Sequence, residues 1–139
     1  MIKSEPFIEI ITSKDIQIAL IIRSKFKVRE NSIKFITPNS FSQQIGFIDR
    51  PKGYKIPPHI HNPVPREVTY TNEVLFIRKG KVKVDFYDQN KNFLETKILY
   101  KDDIILLIEG GHGFTVLEDA DICEVKQGPY VGESDKIRF

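Results

Sequence analysis

The run that decides the fold is Glu73-Val74-Leu75-Phe76-Ile77-Arg78-Lys79-Gly80-Lys81-Val82-Lys83-Val84-Asp85-Phe86-Tyr87. After Gly80, Val82, Val84 and Phe86 alternate with Lys81, Lys83 and Asp85. A period of two is a strand with one buried face. Before Lys79, the side chains of Glu73, Leu75 and Ile77 share a face in the same way. Lys79-Gly80 has turn chemistry, so the run reads as a β-hairpin with strands over residues 73–78 and 81–87. Downstream, Asp88-Gln89-Asn90-Lys91-Asn92 is a turn cluster. Further strands are expected over residues 93–100, 104–108, 113–117 and 122–126. Upstream, residues 7–11, 33–36 and 45–49 read as strands, residues 40–44 as one helical turn and residues 50–53 as a turn. Residues 16–22 are apolar on both faces, which fits a strand buried on both sides or a short buried helix.

Composition supports an all-β chain. Among 139 residues there are 21 Ile, 9 Val, 6 Thr, 10 Phe and 5 Tyr, against 10 Ala, Leu and Met together. β-Branched and aromatic side chains suit a pleated surface, whereas helical proteins lean on Ala and Leu. A helix bundle is therefore excluded. The length suits one domain. The longest apolar run, Ile18-Ala19-Leu20-Ile21-Ile22, is too short to span a bilayer. The first residues, Met1-Ile2-Lys3-Ser4-Glu5-Pro6, lack a signal-peptide layout, and a single cysteine, Cys123, suits a reducing, cytoplasmic setting. The net charge of +2 does not point to nucleic acid.

Gly53-Tyr54-Lys55-Ile56-Pro57-Pro58-His59-Ile60-His61 carries the chemistry. On a strand, His59 and His61 point to one face. Paired imidazoles pack poorly, because each brings polar nitrogens that need partners, but they are good metal ligands. Glu73, on the face of Leu75 and Ile77, is an inward carboxylate in need of a partner. The remaining histidine is His112, in Gly110-Gly111-His112-Gly113-Phe114. Three imidazoles and a carboxylate suit one divalent transition metal, Fe, Mn, Zn or Ni, with positions left open for substrate.

This pattern resembles the cupins, small jelly-roll β-barrels with a metal in the barrel mouth. Gly53 precedes His59-Ile60-His61, and Glu73 precedes Gly80, at that family's spacings. The gap between the two halves, residues 62–72, is longer than usual, and Glu67 within it is a rival carboxylate. The second motif keeps an apolar strand before a Gly-flanked His112 but has Leu107, Glu109 and Val116 where Pro, Gly and Asn are usual. The resemblance covers residues 40–127. Residues 1–39 add N-terminal strands, expected to serve as a dimer arm, and residues 128–139 an irregular tail covering a sheet edge. Phe41-Ser42-Gln43-Gln44, Arg50-Pro51-Lys52-Gly53-Tyr54, Gly110-Gly111-His112-Gly113-Phe114 and Val125-Lys126-Gln127-Gly128-Pro129-Tyr130 are similar to a subgroup of small cupins associated with surface-polysaccharide and modified-sugar synthesis.

The resemblance implies a single-domain, all-β, cupin-like jelly-roll barrel. It implies a metal-dependent enzyme such as a sugar isomerase acting on a sugar or nucleotide-sugar. The alternatives are a non-catalytic binding or regulatory module, an iron-dependent dioxygenase, and metal-free epimerase chemistry by a His base paired to a carboxylate. Tyr54, Lys55, Arg66, Tyr70 and Gln127 are candidate substrate contacts. Cys123, Val125 and Gln127 are expected to face inward. Arg23, Lys25, Lys27 and Arg29 read as a solvated basic strand face. A homodimer is expected, packed through the Ile-rich residues 16–22. No nucleic-acid or membrane partner is expected.

Overall fold

The run from Glu73 to Tyr87 is one strand, not a hairpin. A computed structural model describes residues 1–139. It contains eight strands: β1 (Ile8–Ser13), β2 (Ile16–Ile22), β3 (Ile33–Phe35), β4 (Gly46–Ile48), β5 (Glu73–Tyr87), β6 (Phe93–Tyr100), β7 (Ile104–Leu107) and β8 (Gly111–Lys126). One 3-10 turn, Gly132–Asp135, follows, and there is no α-helix. No helix is long and apolar enough to cross a membrane. Two compact units can be distinguished, one of residues 1–3 and 27–69, the other of residues 4–26 and 70–139.

The larger unit is an antiparallel sheet in the order β1-β2-β7-β5-β6, with β8 on the free side of β5. The first half of β5 lies between β7 and the end of β8, and its second half between β6 and the start of β8. Between the halves the β5–β8 ladder slips register three times, around Lys79 and Lys81. Gly80 sits at this corner with φ +87°. A Cβ there would lie 2.3 Å from the Asp119 carbonyl oxygen, so the opposite strand approaches to a distance only glycine allows. Bulges bend a ribbon and shift its side-chain phase. The inward face accordingly passes from Leu75 and Ile77 to Val82, Val84 and Phe86. The turn chemistry of Lys79-Gly80 is real, but it serves a bend. The true hairpin is at residues 88–92, where the Asp88 carboxylate accepts the backbone N–H groups of Asn90 and Asn92.

The folded sheet encloses its core. Ile11, Ile18, Ile21, Ile77, Val82, Val84, Phe86, Leu99 and Ile105 are all buried there. Each large side chain contributes about 1.5–3 kcal/mol by leaving water. β2 is a strand, not a helix, hydrogen-bonded to β1 on one edge and β7 on the other. Its apolarity is thus accounted for within the chain. The basic stripe is not a strand face, because residues 23–29 form no strand. Arg23 instead clamps the sheet. Its guanidinium donates to Glu9 Oε1 at 2.6 Å, to the Ile98 carbonyl at 2.7 Å and to Asp103 Oδ2 at 2.8 Å. Asp103, buried at the β6–β7 corner, also accepts the N–H groups of Ser24 and Tyr100.

In the smaller unit β3 and β4 pair antiparallel, with Ile33 opposite Ile48. Thr37 Oγ1 accepts the Ile45 N–H and Asp49 that of Asn31. Residues 40–43 form a turn and bends, and no helical turn occurs at 40–44. After a turn at residues 51–54, the chain to residue 69 has no strand, turn or bend, and every residue of it is exposed.

Candidate functional site

The folded ribbon brings Glu73 to His112. His112 lies opposite Phe86 in the ladder, thirteen positions along β5 from Glu73. In a flat ribbon the two would be about 43 Å apart at 3.3 Å per residue. Here His112 Nε2 is 3.3 Å from Glu73 Oε2. The hydrogen bond from His112 holds the Glu73 carboxyl below the usual carboxylate range, against half-burial that pushes it up. The charges of His112, Lys126 and Lys136 act in the same direction as the hydrogen bond.

Around this pair the larger unit supplies a polar wall of which the sequence pointed only to Gln127. Lys126 Nζ lies 3.7 Å from Glu73 and 3.6 Å from Glu124. The ammonium groups of Lys126 and Lys136 are 5.4 and 5.8 Å from the centre of the Tyr130 ring. Gln127 Oε1 accepts the Asn72 N–H at 2.8 Å, and the Asn72 side chain donates to the Ile108 carbonyl at 2.9 Å. Gln127 thus anchors the backbone just before Glu73.

The inward set on β8 is the opposite of the one expected. Ile122 is paired with Ile77, Glu124 with Leu75 and Lys126 with Glu73, and Ile122 packs on the core. Cross-strand partners share a face, so Cys123 and Val125 turn outward, and Cys123 is exposed. Alternation in residues 122–127 admitted either phase. The burial of Ile122 decided it.

The remaining predicted residues belong to the smaller unit, save one. His59 and His61 are side by side, with ring centroids 5.1 Å apart and an interplanar angle of 79°, although their segment is not a strand. His59 Nδ1 is 2.9 Å from the Pro57 carbonyl. A carbonyl only accepts, so Nδ1 is the donor in this contact, the arrangement in which a backbone carbonyl orients a ligating imidazole. Tyr54 lies under the Arg50 guanidinium at 4.7 Å. Arg66 turns back towards the Val64 carbonyl at 3.4 Å. Lys55 and Glu67 are exposed, as is Tyr70 in the larger unit.

In neither unit do three His, Cys, Asp or Glu side chains converge as a metal cluster. Each unit supplies a pair of donors. Two donors bound to one ion at about 2.1 Å, and 3.3 Å from each other as Glu73 and His112 are, subtend about 100° at it, between the tetrahedral and octahedral ranges. This pair therefore fits half of a metal shell. It also fits a carboxylate-oriented imidazole acting as a base. Compared with known proteins, the chain matches no family model, no curated protein and no solved structure.

Proposed function

We propose that this chain is a cupin-like jelly-roll protein that holds one divalent transition metal ion through His59, His61, Glu73 and His112. It acts on a sugar or nucleotide-sugar, by isomerisation or a related modification, in the cytoplasm. The observation that carries this reading is the convergence of Glu73 and His112 from distant points of the ribbon, on the inward face of an all-β sheet. Such a contact requires the whole bend at Gly80, and it places an imidazole and a carboxylate at ligand spacing. With Nδ1 of His59 on the Pro57 carbonyl, Nε2 is the nitrogen that would ligate. A bound ion of this kind supplies Lewis acidity towards a substrate hydroxyl or carbonyl, or, if iron, a site for O₂. Glu73 offsets part of its charge, Gln127 and Asn72 hold Glu73 in place, and Lys126 and Lys136 offer cationic groups to an anionic substrate. The substrate class is taken from the resemblance of residues 41–44, 50–54, 110–114 and 125–130 to sugar-associated cupins.

Elemental analysis of untagged protein purified without chelator tests the reading. About one ion per chain is expected, falling at least tenfold in His112→Ala. Less than about a tenth of an ion per chain that cannot be raised by reloading would overturn it. The His112–Glu73 contact also favours a second reading, in which His112 is a general base oriented by Glu73 without metal. Turnover of a sugar-nucleotide that survives exhaustive chelation, and is lost in Glu73→Ala, would select that reading.

A further inference from the structure

Residues 128–139 follow β8 without joining any ladder, yet they touch the larger unit, to which they belong, beside both members of the Glu73–His112 pair. Asp135 Oδ1 accepts the Thr71 hydroxyl at 3.3 Å, and Thr71 lies two residues before Glu73. Phe139 stands edge-on to Tyr87, with ring centroids 5.2 Å apart and an interplanar angle of 87°. The Lys91 ammonium lies 5.4 Å from the centre of the Phe139 ring. Tyr87 is the ladder partner of Gly111, the residue before His112.

Gly111 forms the seat of that ring. A Cβ there would lie 2.9 Å from Phe139 Cζ and 3.2 Å from Tyr87 Cβ. Unlike Gly110, Gly111 is not at positive φ, so its backbone would tolerate a side chain, and it is the ring that needs the space. From Asp135 to Phe139 the chain advances four residues, a reach of at most about 13–14 Å. Its two ends stand beside Glu73 and His112, which are themselves 3.3 Å apart, so the segment passes across the pair. Between its ends, Lys136 shares the Tyr130 ring with Lys126, whose Nζ is 3.7 Å from Glu73.

The segment is lightly held. Tyr130, Ile137 and Phe139 are 62%, 80% and 63% exposed, and the 3-10 turn Gly132–Asp135 buries no residue. A segment with few buried contacts opens locally at low cost.

We infer that residues 128–139 are a strap over the Glu73–His112 pair, tied at Thr71 by Asp135 and seated at Gly111 by Phe139, which swings away to admit substrate and closes over it. Closed, it shields the pair from water. That this pair is the site rests on the proposed function, but the strap itself needs no ion.

The chain's three histidines are separate reporters of access. Diethyl pyrocarbonate acylates neutral imidazoles, and peptide mass spectrometry compares His112 with His59 and His61 in the same chelator-treated protein. An edge-on ring contact shifts an opening equilibrium by about two- to tenfold, so Phe139→Ala should speed acylation of His112 by that factor. Thr71→Val/Phe139→Ala, which frees both ends without changing charge, should speed it further. Gly111→Ala, whose Cβ takes the place of the ring, should act as Phe139→Ala does, and the two together should give no further gain. Ile137→Ala should change nothing. Rates at His112 that stay at the wild-type value in both Phe139→Ala and Gly111→Ala would overturn the strap and leave the metal reading, tested by ion content, standing. An equal rise at all three histidines would mark general loosening and overturn it as well.

Discussion

Gly80→Ala puts the bend of β5 to the test. The backbone at Gly80 has φ +87°, a region that costs an L-residue about 1–2 kcal/mol. The new Cβ would also lie 2.3 Å from the Asp119 carbonyl oxygen and 2.8 Å from Ala120 Cα. Both atoms are backbone of the facing strand, so relief requires β8 to move, and overpacking of this kind costs about 1–3 kcal/mol. The expected loss is about 2–5 kcal/mol, a large share of a typical domain's 5–15 kcal/mol or so. Gly132→Ala is the matched control. Gly132 has φ +70°, and a Cβ there meets nothing within 4 Å, so only the conformational cost of about 1–2 kcal/mol applies. Urea unfolding followed by far-ultraviolet circular dichroism measures both, since the chain has no tryptophan. With a slope near 2 kcal/mol/M, Gly80→Ala should lower the midpoint by about 1–2.5 M. Losses equal within about 0.5 kcal/mol for the two variants would refute the close approach of β8, and with it the account of how Glu73 reaches His112.

Asp103→Ala strips the Arg23 guanidinium and two backbone N–H groups of their buried acceptor and should cost about 3–5 kcal/mol in the same assay. Asp103→Asn, which keeps one acceptor oxygen, should cost less, and a loss under about 1 kcal/mol for the alanine variant would show that the clamp carries little. The hydrogen bonds from His112 and Arg23 hold Glu73 and Glu9 below the usual carboxylate range. A depressed folded pKa stabilises fully above the unfolded value of about 4.3, and that contribution is lost as pH falls through the folded values. Unfolding midpoints from pH 6 to 3 should therefore fall less steeply in Glu9→Gln/Glu73→Gln than in the wild type, and equal slopes would contradict the assignment.

Much of the strand pattern was legible. β2 and β6 lie where alternation and apolar runs placed them, because both fill one sheet whose burial is written into their side chains. The loop at residues 88–92 was legible because Asp88 makes its own turn. Other features were not. Lys79-Gly80 carries the same chemistry whether a strand turns back or bends, and only a neighbouring strand distinguishes the two. Residues 113–117 and 122–126 read as separate strands because Glu118, Asp119 and Asp121 interrupt the pattern. They are one strand, because the ladder with β5 continues through its bulges. Arg23 looked like one cation in a stripe, since nothing near it in sequence reveals Glu9 and Asp103 as its partners.

By itself, the sequence determined the class of the fold and the residue types from which a site could be built. β-Branched and aromatic side chains prefer pleated backbone wherever it lies, and imidazole and carboxylate are donors in any setting. The tertiary structure alone decided which of them meet. Glu73 and His112 touch because the ribbon bends at Gly80, and Lys126 rather than Cys123 faces them because Ile122 is drawn to the core. Those outcomes depend on pairing between distant strands, whose register is set by burial across the whole sheet and leaves no local mark in the chain.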